Sequence, residues 1–331
     1  MPLSGRARTA VGLGLVGVLA SAASARSQAT RDVPTFGVGT ELVYVRFHVE
    51  KNGRYLEDLT REQLRVLEDG RPQEIAVLET ASTRERTIPP EVTLVLDVSS
   101  SVMDARLLDE SLLREVFFAS LSEQTTVGLC AFGGELRCLA APTRDVASLM
   151  QAFHEAIRFS RETRHEGTRL YASVADVCRQ TPAAGKSQRA VIVFSDGLDN
   201  REGKVREAIQ AATQADVRVH AVKLSQAFQD GGRLRVRGGF GRGPNRAMYD
   251  YRKWDLDRLA EETGGEAYEP GTLDQESLGA ILRTIATGIR TENVLGYQPQ
   301  GPATGRKRKV KVELVDRSLG TVRDGERTVL R

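Results

Sequence analysis

The pattern that most constrains this chain runs from about residue 91 to 290, where short apolar stretches alternate with amphipathic ones. Residues 92–96 form a nearly continuous apolar run, as in a parallel strand covered on both faces. Leu108, Leu112, Val116 and Leu113, Phe117, Leu121 then recur at helical spacing, which predicts a helix over 102–121. Strands at 127–132 and 136–140 flank Gly133-Gly134, too tight a link for anything but a hairpin. Helices at 146–157, 169–179, 205–215, 256–262 and 275–291 alternate with strands at 190–194, 217–224 and 266–268. The reading is an α/β fold with a doubly wound, mostly parallel, Rossmann-like sheet and an antiparallel edge hairpin.

On either side the period drops to two. Val43, Val45, Phe47 and Val49 alternate with Tyr44, Arg46 and His48, so the first set faces a core. Asn52-Gly53 and Asp69-Gly70 are turn signals, residues 60–64 a short helical turn, and 65–68 and 74–79 strands. Pro89-Pro90 closes this region. Beyond 292, Val310, Val312 and Leu314 alternate with Lys309, Lys311 and Glu313, and 293–297 and 327–330 read as further strands. Neither flank can bury much core alone. The expectation is that 36–85 and 292–331 pack together as one small β domain, with the 91–290 unit inserted between its halves.

Residues 1–25 read as a signal peptide. Arg6 and Arg8 precede an apolar run over 10–20, and Ala23-Ser24-Ala25 fits a cleavage site. The run is shorter than the roughly 20 residues a membrane span needs, and no later stretch is long and apolar enough. An exported protein, periplasmic or extracellular, with no transmembrane segment after leader removal, is the expectation. The GxGxxG of Gly12, Gly14 and Gly17 falls inside this leader and lacks a preceding strand, so it carries no dinucleotide site. The formal charge of +3 comes from 47 basic and 44 acidic residues. Loss of Arg6 and Arg8 with the leader leaves the mature chain nearly neutral, which argues against a specific nucleic-acid partner. Three cysteines and four histidines leave little material for zinc clusters.

The chemistry gathers where strands end. Asp97-Val98-Ser99-Ser100-Ser101 follows the first α/β strand, and alternation puts Asp97, Ser99 and Ser101 in step. Ser195-Asp196-Gly197 ends the fourth strand. In the common doubly wound order these strands are neighbours, so Asp97 and Asp196 meet at the carboxyl edge, where open sheets bind ligands. Two carboxylates brought together without a cation repel each other. With hydroxyls they form a hard oxygen set suited to Mg²⁺, Mn²⁺ or Ca²⁺. Gly167-Thr168, at the mouth of the next helix, supplies another hydroxyl. Helix capping is the competing reading, and Ser101 or Thr168 alone would serve it equally well. Asp199 and Asn200 read as loop surface.

At these residues the chain resembles the von Willebrand factor type A domain family. Asp97, Ser99 and Ser101 match the Asp-x-Ser-x-Ser loop of that family's metal-ion-dependent adhesion site. Thr168 matches its distant Thr, and Asp196 its last Asp. Ser100 stands where Gly is frequent and Val102 where Met is frequent; neither departure removes an oxygen. Residues 59–75 and 295–299 are similar to the leading and closing segments of exported bacterial proteins related to this family. The resemblance implies a metal held by Asp97, Ser99, Ser101, Thr168 and Asp196, with a partner's Asp or Glu carboxylate completing its coordination. It therefore implies divalent-cation-dependent protein binding or adhesion rather than an enzyme. The alternatives are a metal-dependent hydrolase using the same site, and a binder of anionic surfaces through basic stretches.

Those stretches are 231–246, with Arg233, Arg235, Arg237, Arg242 and Arg246, and 305–311, with Arg306, Lys307, Arg308, Lys309 and Lys311. The first reads as a long loop and the second as the exposed face of an edge strand. His154-Glu155 and His165-Glu166 begin like HExxH, but Arg158 and Arg169 occupy the second histidine positions, so a zinc-protease reading fails. His48 and His220 fall in strands and read as structural. Cys130 and Cys138 flank the hairpin; a three-residue loop sets them opposite each other and permits a disulfide, and a two-residue loop does not. Cys178 lies on the apolar face of its helix and reads as a buried thiol.

Overall fold

The computed structural model describes residues 42–104, 109–163, 166–180, 187–201, 203–224, 255–300 and 304–330. The expected signal peptide, the basic stretch 231–246 and His165 lie outside them. Among the described residues no helix is long and apolar enough to cross a membrane.

The N-terminal flank folds as β1 (Val43–Lys51), β2 (Arg54–Tyr55), β3 (Leu64–Glu68), β4 (Arg71–Gln73) and β5 (Ile75–Glu79). Asn52 and Gly53, with φ of 53° and 75°, turn β1 into β2. A two-residue hairpin of this hand needs positive φ at both positions, which Asn and Gly tolerate best. The backbone N–H of Thr60 donates to Gln63 Oε1 at 2.8 Å and caps a short turn over Arg61–Gln63.

The α/β unit is a six-stranded sheet of β6 (Pro90–Asp97), β7 (Thr126–Phe132), β8 (Leu136–Thr143), β9 (Gln188–Ser195), β10 (Val217–Lys223) and β11 (Ala267–Tyr268). Its order is β11-β10-β9-β6-β7-β8, and only the β7/β8 hairpin is antiparallel. The helices are α1 (Ser100–Asp104), α2 (Val146–Glu162), α3 (Leu170–Arg179), α4 (Val205–Gln214), α5 (Asp255–Thr263) and α6 (Gln275–Thr291). α2 and α6 pack on one face around Leu94, Leu96, Leu129 and Phe194. α3, α4 and α5 cover the other face around Val95, Val193 and Val219. Burial on both faces is why these strands read as unbroken apolar runs.

The helix expected over 102–121 is not a single rod. α1 ends at Asp104, and a second, wide-pitched segment occupies Leu112–Phe118. Asp109 lies outside both and accepts the N–H of Leu112 at 2.8 Å, starting the second segment as a cap. Apolar periodicity continues across such a break, because it does not register where a carboxylate competes for backbone donors.

After α6 come β12 (Asn293–Tyr297), β13 (Lys307–Leu314), β14 (Thr321–Arg323) and β15 (Glu326–Leu330). They form no sheet of their own. β12 lies between β1 and β5, and β14 takes the other side of β1. β13 lies between β3 and β15 in the second sheet, β15-β13-β3-β4. Phe47, Val49, Val66, Leu295, Tyr297 and Val312 fill one core shared by the two sheets. The antiparallel sheets expected of the flanks are thus present, each built from both ends of the chain.

Two strands differ from expectation. β13 is internal rather than an edge, and three of its four cations are paired with acids: Arg308 with Asp69 at 2.8 Å, Lys311 with Glu313 at 2.8 Å, and Lys309 with Glu326. β1 is covered on both faces. Arg46 and His48, outward by alternation, are each 7% exposed, because that face lies against the α/β unit. Arg46 Nη1 donates to the carbonyl of Arg189 at 2.9 Å, and Arg218 Nη2 donates to the carbonyl of Arg46 at 2.8 Å. Arg218 also pairs with Glu292, the residue after α6.

Candidate metal centre

β6 and β9 are adjacent and parallel, with Leu96 beside Phe194. Asp97 is therefore level with Ser195, one residue short of Asp196. Both carboxylates are buried, at 2% and 6% exposure. Ser195 Oγ donates to Asp97 Oδ2 at 2.6 Å, and the N–H of Ser99 donates to Asp97 Oδ1 at 2.9 Å. Ser101 Oγ donates to Asp196 Oδ2 at 2.5 Å, and Ser99 Oγ lies 3.2 Å from Ser101 Oγ. The N–H of Leu198 donates to Asp196 Oδ1 at 3.0 Å. Asp97, Ser99, Ser101 and Asp196 thus belong to one hydrogen-bonded cluster.

Thr168 is tied by its backbone to the loop that follows Asp196. Its N–H donates to Asn200 Oδ1 at 2.7 Å, and its carbonyl accepts from Asn200 N–H at 3.1 Å. Asp199 does similar work one turn on, accepting the N–H of Tyr171 in the first turn of α3 at 2.9 Å. Loop surface therefore describes only half of Asp199 and Asn200: their side chains hold the Thr168 loop against the Asp196 loop. Ser195 is a further contributor that strand-end spacing does not single out, since its role depends on register with Asp97.

The β7/β8 hairpin buttresses the same edge. Its loop has three residues, 133–135, so Cys130 faces Cys138 and the two form a disulfide. The carbonyl of Phe132 accepts from Val98 N–H and that of Gly133 from Arg169 N–H, both at 2.9 Å. The hairpin tip therefore touches the loops that carry Ser99 and Thr168. A Cβ on Gly133 would lie 2.7 Å from Thr163 Oγ1 and one on Gly134 2.4 Å from Glu166 Cβ, so this approach requires glycine. Cys178 is buried as expected, and burial pushes its thiol up to about 12.

The electrostatics of the edge are unfavourable to anions. Burial first, and then the charge of Asp196, push the Asp97 carboxyl up to about 7, against the hydrogen bonds from Ser195 and Ser99. Burial also raises Asp196, against its bonds from Ser101 and Leu198. Among the described residues no cluster of three or more His, Cys, Asp or Glu is gathered as a metal site. The donor set here is different: two carboxylates and several hydroxyls, all hard oxygens. That set fits a small divalent cation, whose charge would offset the burial that lifts both carboxyls and the repulsion that adds to it at Asp97. The described histidines do not contribute: His154 is exposed and lies 3.0 Å from Glu110, while His48 and His220 lie among residues of the flank junction.

A doubly wound sheet whose carboxyl edge gathers two carboxylates and serine hydroxyls from the ends of two adjacent strands has the architecture of an open α/β domain. Residues 91–254 match the family model of the von Willebrand factor type A domain, and this part of the chain is a domain of that family. No curated protein matches it. Among solved structures, the conserved hypothetical protein BatB from Bacteroides thetaiotaomicron is 20% identical, with a TM-score of 0.44 over 60% of this chain and 98% of that one. A von Willebrand factor type A protein from Catenulispora acidiphila is 12% identical, with a TM-score of 0.46 over 89% and 74%. Manganese-loaded TRAP protein from Plasmodium vivax is 15% identical, with a TM-score of 0.38 over 73% and 93%.

Proposed function

We propose that this protein is exported and binds a protein partner through a divalent cation held by Asp97, Ser99, Ser101, Thr168 and Asp196. The observation that carries the reading is the pair of buried carboxylates, each bonded to a serine hydroxyl, at one sheet edge. A Mg²⁺, Mn²⁺ or Ca²⁺ ion bound there would supply positive charge with few anionic ligands, and so attract a carboxylate from outside. The chain's own residues do the positioning. Ser195 and the Ser99 N–H orient Asp97, Ser101 orients Asp196, and Asn200 holds the Thr168 loop. A partner segment presenting Asp or Glu is the ligand class this arrangement favours, and the role is adhesion or assembly rather than turnover. The anionic-surface alternative draws less support, because Arg308, Lys309 and Lys311 are paired with acidic neighbours.

Calorimetry with Mg²⁺ and Mn²⁺ tests the reading. The full chain is expected to bind about one ion, and Asp97→Ala to lose that binding while remaining folded. Unaltered binding in the variant would sink the proposed site.

A further inference from the structure

The junction between the flank sheets and the α/β unit holds two histidines in opposite hydrogen-bonding roles, His48 buried and His220 half-buried. His220 Nδ1 accepts the N–H of Glu266 at 3.2 Å, which requires an unprotonated nitrogen. His48 is placed otherwise. Its Nε2 lies 2.8 Å from the carbonyl oxygen of Gly288 on α6, and its Nδ1 lies 3.4 Å from Asp324 Oδ2 between β14 and β15. Both partners are acceptors when Asp324 is ionised. A neutral imidazole carries one N–H and can serve only one of them, whereas the imidazolium serves both.

We infer that His48 is a proton-operated clamp: as imidazolium it ties β1 to α6 and to the β14–β15 turn, and deprotonation releases one of these attachments. The groups around it support this. The ring lies tilted against Tyr55 of β2, 4.5 Å between centroids. Glu292, after α6, adds negative charge, and Arg218 of β10 adds positive charge. Burial by itself would lower the His48 pKa, but Asp324, Glu292 and the Gly288 carbonyl together raise it above 6.5. Asp324 is held below its usual range, first by its bond to His48 and then, against burial, by Arg218. His220 provides an internal contrast: burial first, and then Arg218, push it down to about 4.

The sign follows from the raised value. The clamp contributes fully at pH below the ordinary histidine value and is lost as pH rises through the higher folded value. Hydrogen exchange of the full chain, corrected for intrinsic base catalysis, reads this at residues 288–292 and 321–324. Protection there is expected to fall above pH 6.5, roughly tenfold per pH unit across the shifted range. In His48→Gln, which keeps a donor but cannot titrate, that dependence is expected to vanish. A variant profile parallel to wild type overturns the inference. A second measurement stands apart from any folding defect of that variant. By NMR, the His48 ring is expected to titrate above 6.5 in wild type and at lower pH in Asp324→Asn. A wild-type midpoint at or below 6.5, or one unmoved by Asp324→Asn, overturns it equally.

Discussion

The carboxyl edge and the flank junction both bury charge, by opposite arrangements. At the edge, two carboxylates face the same cluster of hydroxyls, and both are pushed towards their neutral forms. At the junction opposite charges meet: Arg218 pairs with Glu292, and Arg46 lies 3.8 Å from Asp216. Burial would raise Glu292, but Arg218 and Arg46 outweigh it and hold the carboxyl below its usual range. Like charges held in place by neutral donors leave a net demand for a cation. Opposite charges held in place by each other leave none. The first arrangement suits a binding centre and the second a structural joint.

The largest effect is expected from breaking the matched side. Glu292→Ala leaves Arg46 and Arg218 buried without their main counter-charge, at a cost of about 3–5 kcal/mol. Urea unfolding checks it; a cost near zero would show the joint to be hydrated and the contrast overdrawn. The cysteine bridge comes next. Cys138→Ser opens a short loop between β7 and β8, with an expected loss of about 2.5 kcal/mol. Because the hairpin tip bonds both site loops, the same variant should also weaken cation binding.

The mismatched side should respond in the opposite sense. In chelator, stability is expected to fall as pH rises from 3.8 towards about 7, since folded Asp97 holds a proton that the unfolded chain releases. Asp97→Asn should flatten that slope, and Mg²⁺ should stabilise wild type most near and above pH 7. Thermal melts across pH, with and without the ion, measure both; a flat wild-type slope would mean that neither burial nor Asp196 lifts the Asp97 carboxyl. The smallest effect is assigned to Asn200→Ala, which removes the bond to Thr168 N–H. About 1 kcal/mol of stability and roughly tenfold in cation affinity are expected to go. Unchanged calorimetry would reduce Asn200 to loop surface.

Much of this molecule is legible in one dimension. The apolar run at 92–96 and the helical spacing at 275–291 name their elements, because a parallel strand and an amphipathic helix have different periods. Asp97 is legible for the same reason, as the last residue of that strand; Ser99 and Ser101 lie beyond it, Ser101 in α1, so the alternation expected of them stops at Asp97. Asp109 marks the limit, since a cap can interrupt a helix without disturbing its apolar spacing.

What the sequence by itself determined is the set of elements, the doubly wound core and the oxygen donors offered at its carboxyl edge. These depend on local period and on residue chemistry, both written along the chain. Only the tertiary structure decided that Ser195 meets Asp97, that Asn200 and Asp199 hold the Thr168 loop, and that Arg46 and His48 are buried. Each of these depends on strand register or on what lies over a second face. Alternation separates the two faces of β1 but does not say that both are covered, nor by which charges.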